Sequence, residues 1–88
     1  MKVLKFGAIW CAECLTMRPM WEEIEQEIPE LKTEYYDADD HQELLDRYEI
    51  KKIPTFIFFD DNDEEILRLQ GLQNKNELIE IIQEHLDK

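Results

Sequence analysis

Residues 2 to 9, Lys-Val-Leu-Lys-Phe-Gly-Ala-Ile, form a nearly continuous apolar run, and this run restricts the architecture more than any other stretch. A strand with one wet face alternates apolar and polar residues, whereas an unbroken apolar strand needs cover on both sides. The run therefore predicts a central strand with layers above and below it, Lys5 being the exception. Its 88 residues suit a single domain spanning 1–88 and exclude two halves enclosing a cleft. A chain this short buries only about 60–65% of its unfolded surface, so its 43% hydrophobic residues must pack densely and regularly.

From Ala12 to Ile28 the apolar residues Leu15, Met17, Met20, Trp21, Ile24 and Ile28 recur every three or four positions, which predicts an amphipathic helix. Pro19 lies inside it and predicts a kink or a restart near Arg18, because proline cannot donate to the Leu15 carbonyl. Leu31 to Ala38 reads as a second strand. Asp39 or Asp40 is the expected cap of a short helix running to about Tyr48, with Leu44, Leu45 and Tyr48 as its buried stripe. Ile53 to Phe59 has the β-branched and aromatic content of a strand begun by a proline. The polar loop Asp60 to Glu64 then suggests a hairpin into Ile66 to Leu69. After Gly71, Asn74 and Glu77 resemble a capping box for a last helix carrying Leu78, Ile81, Ile82 and Leu86. The order β-α-β-α-β-β-α predicts an α/β fold with a four-stranded mixed sheet and helices on both faces.

Twenty-two acidic against ten basic side chains give a net charge of -12, which disfavours nucleic acid and anionic membrane surfaces as partners. The charge also favours a soluble monomer. The acidity belongs to the later elements and reads chiefly as solvated helix faces. No apolar stretch is long enough to span a membrane, and the N-terminal run is unlike a signal peptide. A cytoplasmic, reducing location is therefore expected, where structural disulfides are rare.

Against that background, Trp10-Cys11-Ala12-Glu13-Cys14 falls at the predicted junction of the first strand and first helix. Unpaired N–H groups and the helix dipole favour a thiolate there. The two-residue spacing brings the second sulfur within reach of the first while leaving the first nearer solvent. Cys11 is then the nucleophile and Cys14 the resolving thiol. As a structural staple the pair would close a loop worth only about 2 kcal/mol, so redox chemistry explains the placement better. A metal site would need further ligands, and His41 and His85 lie on separate elements without ligand spacing.

The sequence resembles the thioredoxin family through Phe6-Gly7-Ala8-Ile9-Trp10-Cys11-Ala12-Glu13-Cys14, Arg18-Pro19, Tyr48 to Thr55 and Gly71. The likeness covers nearly the whole chain and implies the minimal thioredoxin fold, without the extra N-terminal strand and helix of full-length members. It implies a thiol-disulfide oxidoreductase that reduces protein disulfides and needs no bound cofactor. Its partners would be disulfide-containing proteins and a flavin-dependent thioredoxin reductase or similar donor. It further implies a cis peptide at Ile53-Pro54 beside the cysteines, and an apolar docking surface from Trp10, Ala12, Ile53, Gly71 and Leu72.

Two departures stand out. Ala12-Glu13 replaces the usual Gly-Pro, so a carboxylate that favours the helix N-terminus also opposes a nearby thiolate. Lys5 takes the position of the family's buried aspartate. It can supply positive charge to a thiolate, act as a neutral amine, or extend its ammonium to solvent. Two other functions compete: a glutaredoxin-like donor using glutathione, and a redox-inactive binding module on the same fold. Trp10 and Ile53-Pro54-Thr55 look more like thioredoxin than glutaredoxin.

Overall fold

The computed structural model describes residues 1–86. The elements are β1 (Lys2–Gly7), α1 (Ala12–Glu27), β2 (Lys32–Asp37), α2 (Gln42–Arg47), β3 (Thr55–Phe59), β4 (Glu65–Gln70) and α3 (Lys75–Leu86). They form one sheet in the order β2-β1-β3-β4, with β1 parallel to β2 and antiparallel to β3, and β3 antiparallel to β4. This is the four-stranded mixed α/β arrangement expected from the element order. Among the described residues no helix is long and apolar enough to cross a membrane.

Alternation along the two central strands divides the core into two layers. Val3, Phe56 and Phe58 point to one face, where they pack with Met17, Trp21 and Ile24 of α1 and with Leu78 and Ile82 of α3. Leu4, Phe6, Ile57 and Phe59 point to the other, against Leu44 and Leu45 of α2 and the following Tyr48. The edge strands carry charge: Lys32, Glu34 and Asp37 on β2, and Glu65 and Arg68 on β4.

Several boundaries differ from expectation for identifiable reasons. β1 ends at Gly7 because the Cys11 N–H turns back to the Ala8 carbonyl, which leaves Ile9 and Trp10 exposed at the tip. α1 passes through Pro19 as a single helix, so the expected restart is absent. The Leu15 carbonyl lacks its helical donor, but Leu15 and Pro19 both face solvent, where water is available. His41 occupies the α2 cap position, not Asp39 or Asp40, and makes no side-chain capping bond. The aspartates belong to the preceding turn: Asp37 accepts from the Asp39 N–H, and the Asp40 N–H donates to the Asp37 carbonyl. At α3 the Asn74 side chain does cap, accepting from the Glu77 N–H at 3.1 Å.

Phe58 is fully buried in the middle of β3, its ring centroid 6.3 Å from that of Trp21. Phe58→Ala should therefore lower stability by about 3–5 kcal/mol, since neither β3 nor α1 can collapse into the space. Urea unfolding monitored by circular dichroism measures this loss.

Candidate active site

The site forms where β1 stops. Cys11 has extended backbone geometry (φ -96°, ψ 114°) and is the N-cap of α1. Its Sγ takes the capping role usual for an aspartate or serine oxygen, accepting from the Cys14 N–H at 3.2 Å. A sulfur in this position faces a backbone donor and the N-terminal end of a 16-residue helix. Both cysteines are free and partly exposed.

Cys14 lies one turn into the helix and differs electrostatically. Burial pushes its thiol up to about 12; the bond with Cys11 and negative charge at Cys11 and Glu13 add to this, against an opposing bond with the Ala8 backbone. Cys14 is accordingly a thiol at neutral pH. The two sulfurs thus have different surroundings although two residues separate them.

Around the pair, the fold gathers several of the residues singled out from sequence. Trp10 is 66% exposed, and its Nε1 donates to Asp39 Oδ2 at 3.0 Å, joining the β1–α1 turn to the β2–α2 turn. Ala12 and Glu13 are exposed in the first turn of α1. The Ile53–Pro54 peptide is cis, and Pro54 is buried and lines the same cavity as Cys14. The Pro54 carbonyl accepts from the Gly71 N–H at 2.8 Å, which brings the end of β4 to the start of β3. Gly71 has φ +82°, a left-handed conformation that a side chain would strain. Glu13 Oε1 lies 3.9 Å from where a Gly71 Cβ would be, and Leu72 beyond it is 55% exposed. The surface beside the cysteines is thus apolar at Ile9, Trp10 and Leu72, with one carboxylate at its border.

Lys5 is held away from this surface. Its ammonium pairs with Glu25 Oε2 at 2.8 Å and lies 5.7 Å from the Trp21 ring centroid, with the side chain only 15% exposed. Of its three possible roles, extension into solvent is excluded by this pairing. Sequence reasoning missed two neighbours of the site: Asp39, bonded to Trp10, and Tyr35, whose hydroxyl lies near Gly7 beside Cys14. Asp39 was hidden in an acidic run that resembled a helix cap. Tyr35 reads as ordinary strand material unless the parallel pairing with β1 is known. Among the described residues no three His, Cys, Asp or Glu side chains gather as metal ligands.

Comparison with known proteins agrees with this geometry. The family model described as Thioredoxin matches residues 1–84. The chain belongs to the thioredoxin family. It is 34% identical to a thioredoxin of Chlamydia caviae over 83 residues, covering 94% of this chain and 80% of that protein. Thioredoxin H5 of rice, Oryza sativa subsp. japonica, is 41% identical over 69 residues, which are 78% of this chain; the match spans half of the rice protein. The X-ray structure of Fasciola hepatica thioredoxin superposes with a TM-score of 0.86 at 34% identity, covering 96% of this chain and 79% of that one. The thioredoxin-family chain described here is a thiol-disulfide oxidoreductase of the thioredoxin type.

Two measurements check the electrostatics. In the reduced protein at pH 9, Cys14 should be alkylated at least about 10-fold more slowly than an ordinary cysteine, with the rate still rising between pH 9 and 12. A plateau near pH 9 would contradict the effect of burial. For Lys5 and Glu25, a double-mutant cycle with Lys5→Met and Glu25→Gln should give a coupling of about 1–2 kcal/mol, between surface and buried limits, in thermal or urea unfolding.

Proposed function

We propose that this thioredoxin-family chain reduces protein disulfides through Cys11 as nucleophile and Cys14 as resolving thiol. The observation that carries this reading is the Cys11 Sγ at the N-cap of α1, reachable from solvent and backed by the Cys14 N–H. The Cys11 thiolate attacks one sulfur of a substrate disulfide and expels the other as a thiolate, which takes a proton from water. Cys14 then loses its proton and attacks Cys11 Sγ. The bond from Cys11 to the substrate breaks, the second substrate thiolate leaves, and the domain ends as a Cys11–Cys14 disulfide. Two electrons have passed to the substrate.

Substrates dock as extended segments across Trp10, Ala12, Ile53, Pro54, Gly71 and Leu72. Exposure of Trp10 and Leu72 supports this, as does the Pro54–Gly71 hydrogen bond that holds two of the contributing loops together. Glu13 borders this surface and tunes it toward substrates that tolerate or welcome a carboxylate beside the disulfide. Lys5 acts indirectly, through its pair with Glu25 and its place over the Trp21 ring, by keeping α1 seated on β1.

Disulfide-containing proteins are the substrates, and a flavin-dependent thioredoxin reductase or similar donor returns the electrons. No bound cofactor is required, because the dithiol itself carries both electrons. The protein works as a monomer in the cytoplasm, where the thiol pool keeps the pair reduced.

Replacement of each cysteine in turn tests the assignment. Cys11→Ser should remove at least about 99% of protein-disulfide reduction, leaving the fold intact by circular dichroism. Cys14→Ser should retain the first attack and accumulate substrate mixed disulfides on Cys11, identifiable by mass spectrometry. Full reductase activity in Cys11→Ser would overturn the reading. Turnover driven by glutathione alone would identify the glutaredoxin-like alternative.

A further inference from the structure

Gly7, the last residue of β1, sits at a meeting of three groups. A Cβ built there would lie 3.2 Å from Cys14 Sγ, 3.3 Å from Cys14 Cβ and 3.2 Å from the Tyr35 hydroxyl oxygen. The missing side chain is what lets a cysteine from α1 and a tyrosine from β2 approach the same point. Here glycine serves close approach, since its φ is not in the left-handed range that marks Gly71.

The parallel register explains how Tyr35 arrives. It pairs with Lys5, two residues before Gly7, and so projects on the α1 side of the sheet. Side chains lean along the strand direction, which carries the ring toward the end of β1. Tyr35 is 53% exposed overall, yet it lines a cavity of about 240 Å³ together with Cys14 and Arg18. The adjacent Tyr36 turns its hydroxyl to Glu34 instead.

The chemistry of the second exchange step needs such a group. Burial makes the Cys14 thiolate unfavourable, and the nearby carboxylate of Glu13 makes it more so. Tyr35 keeps its own proton: burial, Asp37 and Cys14 push its ionisation upward, against a smaller pull from Arg18 and with a further push from Cys11. Lys5, the other cation of the cavity wall, is engaged by Glu25. A neutral hydroxyl beside a sulfur that must become an anion is a hydrogen-bond donor in waiting.

We propose that Tyr35 takes part in the resolving step, donating its phenolic hydrogen bond to Cys14 Sγ as that sulfur becomes a thiolate and attacks Cys11. The inference rests on Cys14 being the resolving thiol. Tyr35 stays protonated throughout. The Cys14 proton passes to water, the Cys11–Cys14 bond forms as the bond from Cys11 to the substrate breaks, and the departing substrate thiolate takes a proton from water. Gly7 leaves room for the rotation that closes the hydroxyl onto the sulfur.

Stopped-flow measurement of the two half-reactions with a chromogenic aromatic disulfide tests this. Tyr35→Phe keeps the ring and removes the hydroxyl. Attack by Cys11, followed in the Cys14→Ser background, should change by less than about twofold. Release of the mixed disulfide in the full dithiol should slow about 5- to 10-fold. The Cys14 titration, read by thiolate absorbance in Cys11→Ser, should move further upward when Tyr35→Phe is added. Gly7→Ala, which crowds both groups, should slow release in the same selective way. If Cys14→Ser traps substrate but Tyr35→Phe releases it at the normal rate, Tyr35 has no such role. Equal slowing of both steps together with lost stability would make Tyr35 structural and also overturn the inference. If Cys14→Ser traps nothing, it is the resolving role of Cys14 that fails.

Discussion

Burial of β1 and β3 on two faces is the constraint on which the rest of the molecule depends. Both strands bury apolar side chains on each of their sides, so helices must cover the sheet above and below. The connections follow from this. β1 and β2 are parallel, so the chain between them crosses over through α1, which lies on one face. The crossover from β2 through α2 covers the other. Phe56 and Phe58 alternate with Ile57 and Phe59, so one five-residue strand contributes to both cores.

The reactive geometry is a product of this layering. A buried strand that must connect to a helix on its face turns sharply at its end, and that turn exposes Ile9 and Trp10 while presenting the first N–H groups of α1. Cys11 occupies the one position where its sulfur can cap those groups and still meet solvent. Cys14, a turn later, rests over Gly7 at the end of the strand and is partly withdrawn from water. The two thiols therefore have different surroundings, set by their heights relative to the end of β1.

Much of this was legible in the sequence because the relevant signals are local. Apolar runs, helical periodicity, strand-forming residues and turn or cap signals located all seven elements, and the spacing of Cys11 and Cys14 at a strand–helix junction located the chemistry. Boundaries were less legible where tertiary contacts outweighed local preference. The apolar run suggested a strand to Ile9, but the turn closed by Ala8 and Cys11 ends it at Gly7. Asp39 has the composition of a helix cap, yet its carboxylate is drawn to Trp10, 29 residues earlier in the chain. The destination of Lys5 was illegible for the same reason: its partner, Glu25, lies 20 residues away on a helix whose rotation about its axis is fixed by packing. Tyr35 required the strand register itself, which no local pattern specifies.

The two margins of the sheet differ from its middle in a way that matters beyond the fold. β2 and β4 have unpaired backbone groups along their outer sides, the usual template for adding a foreign strand. Along those margins the chain carries Lys32, Glu34 and Asp37 at one end and Glu65 and Arg68 at the other. A neighbouring molecule approaching edge to edge must desolvate these ions and bring two strongly acidic bodies together. A short sheet rich in phenylalanine is thereby kept from becoming the seed of a fibril.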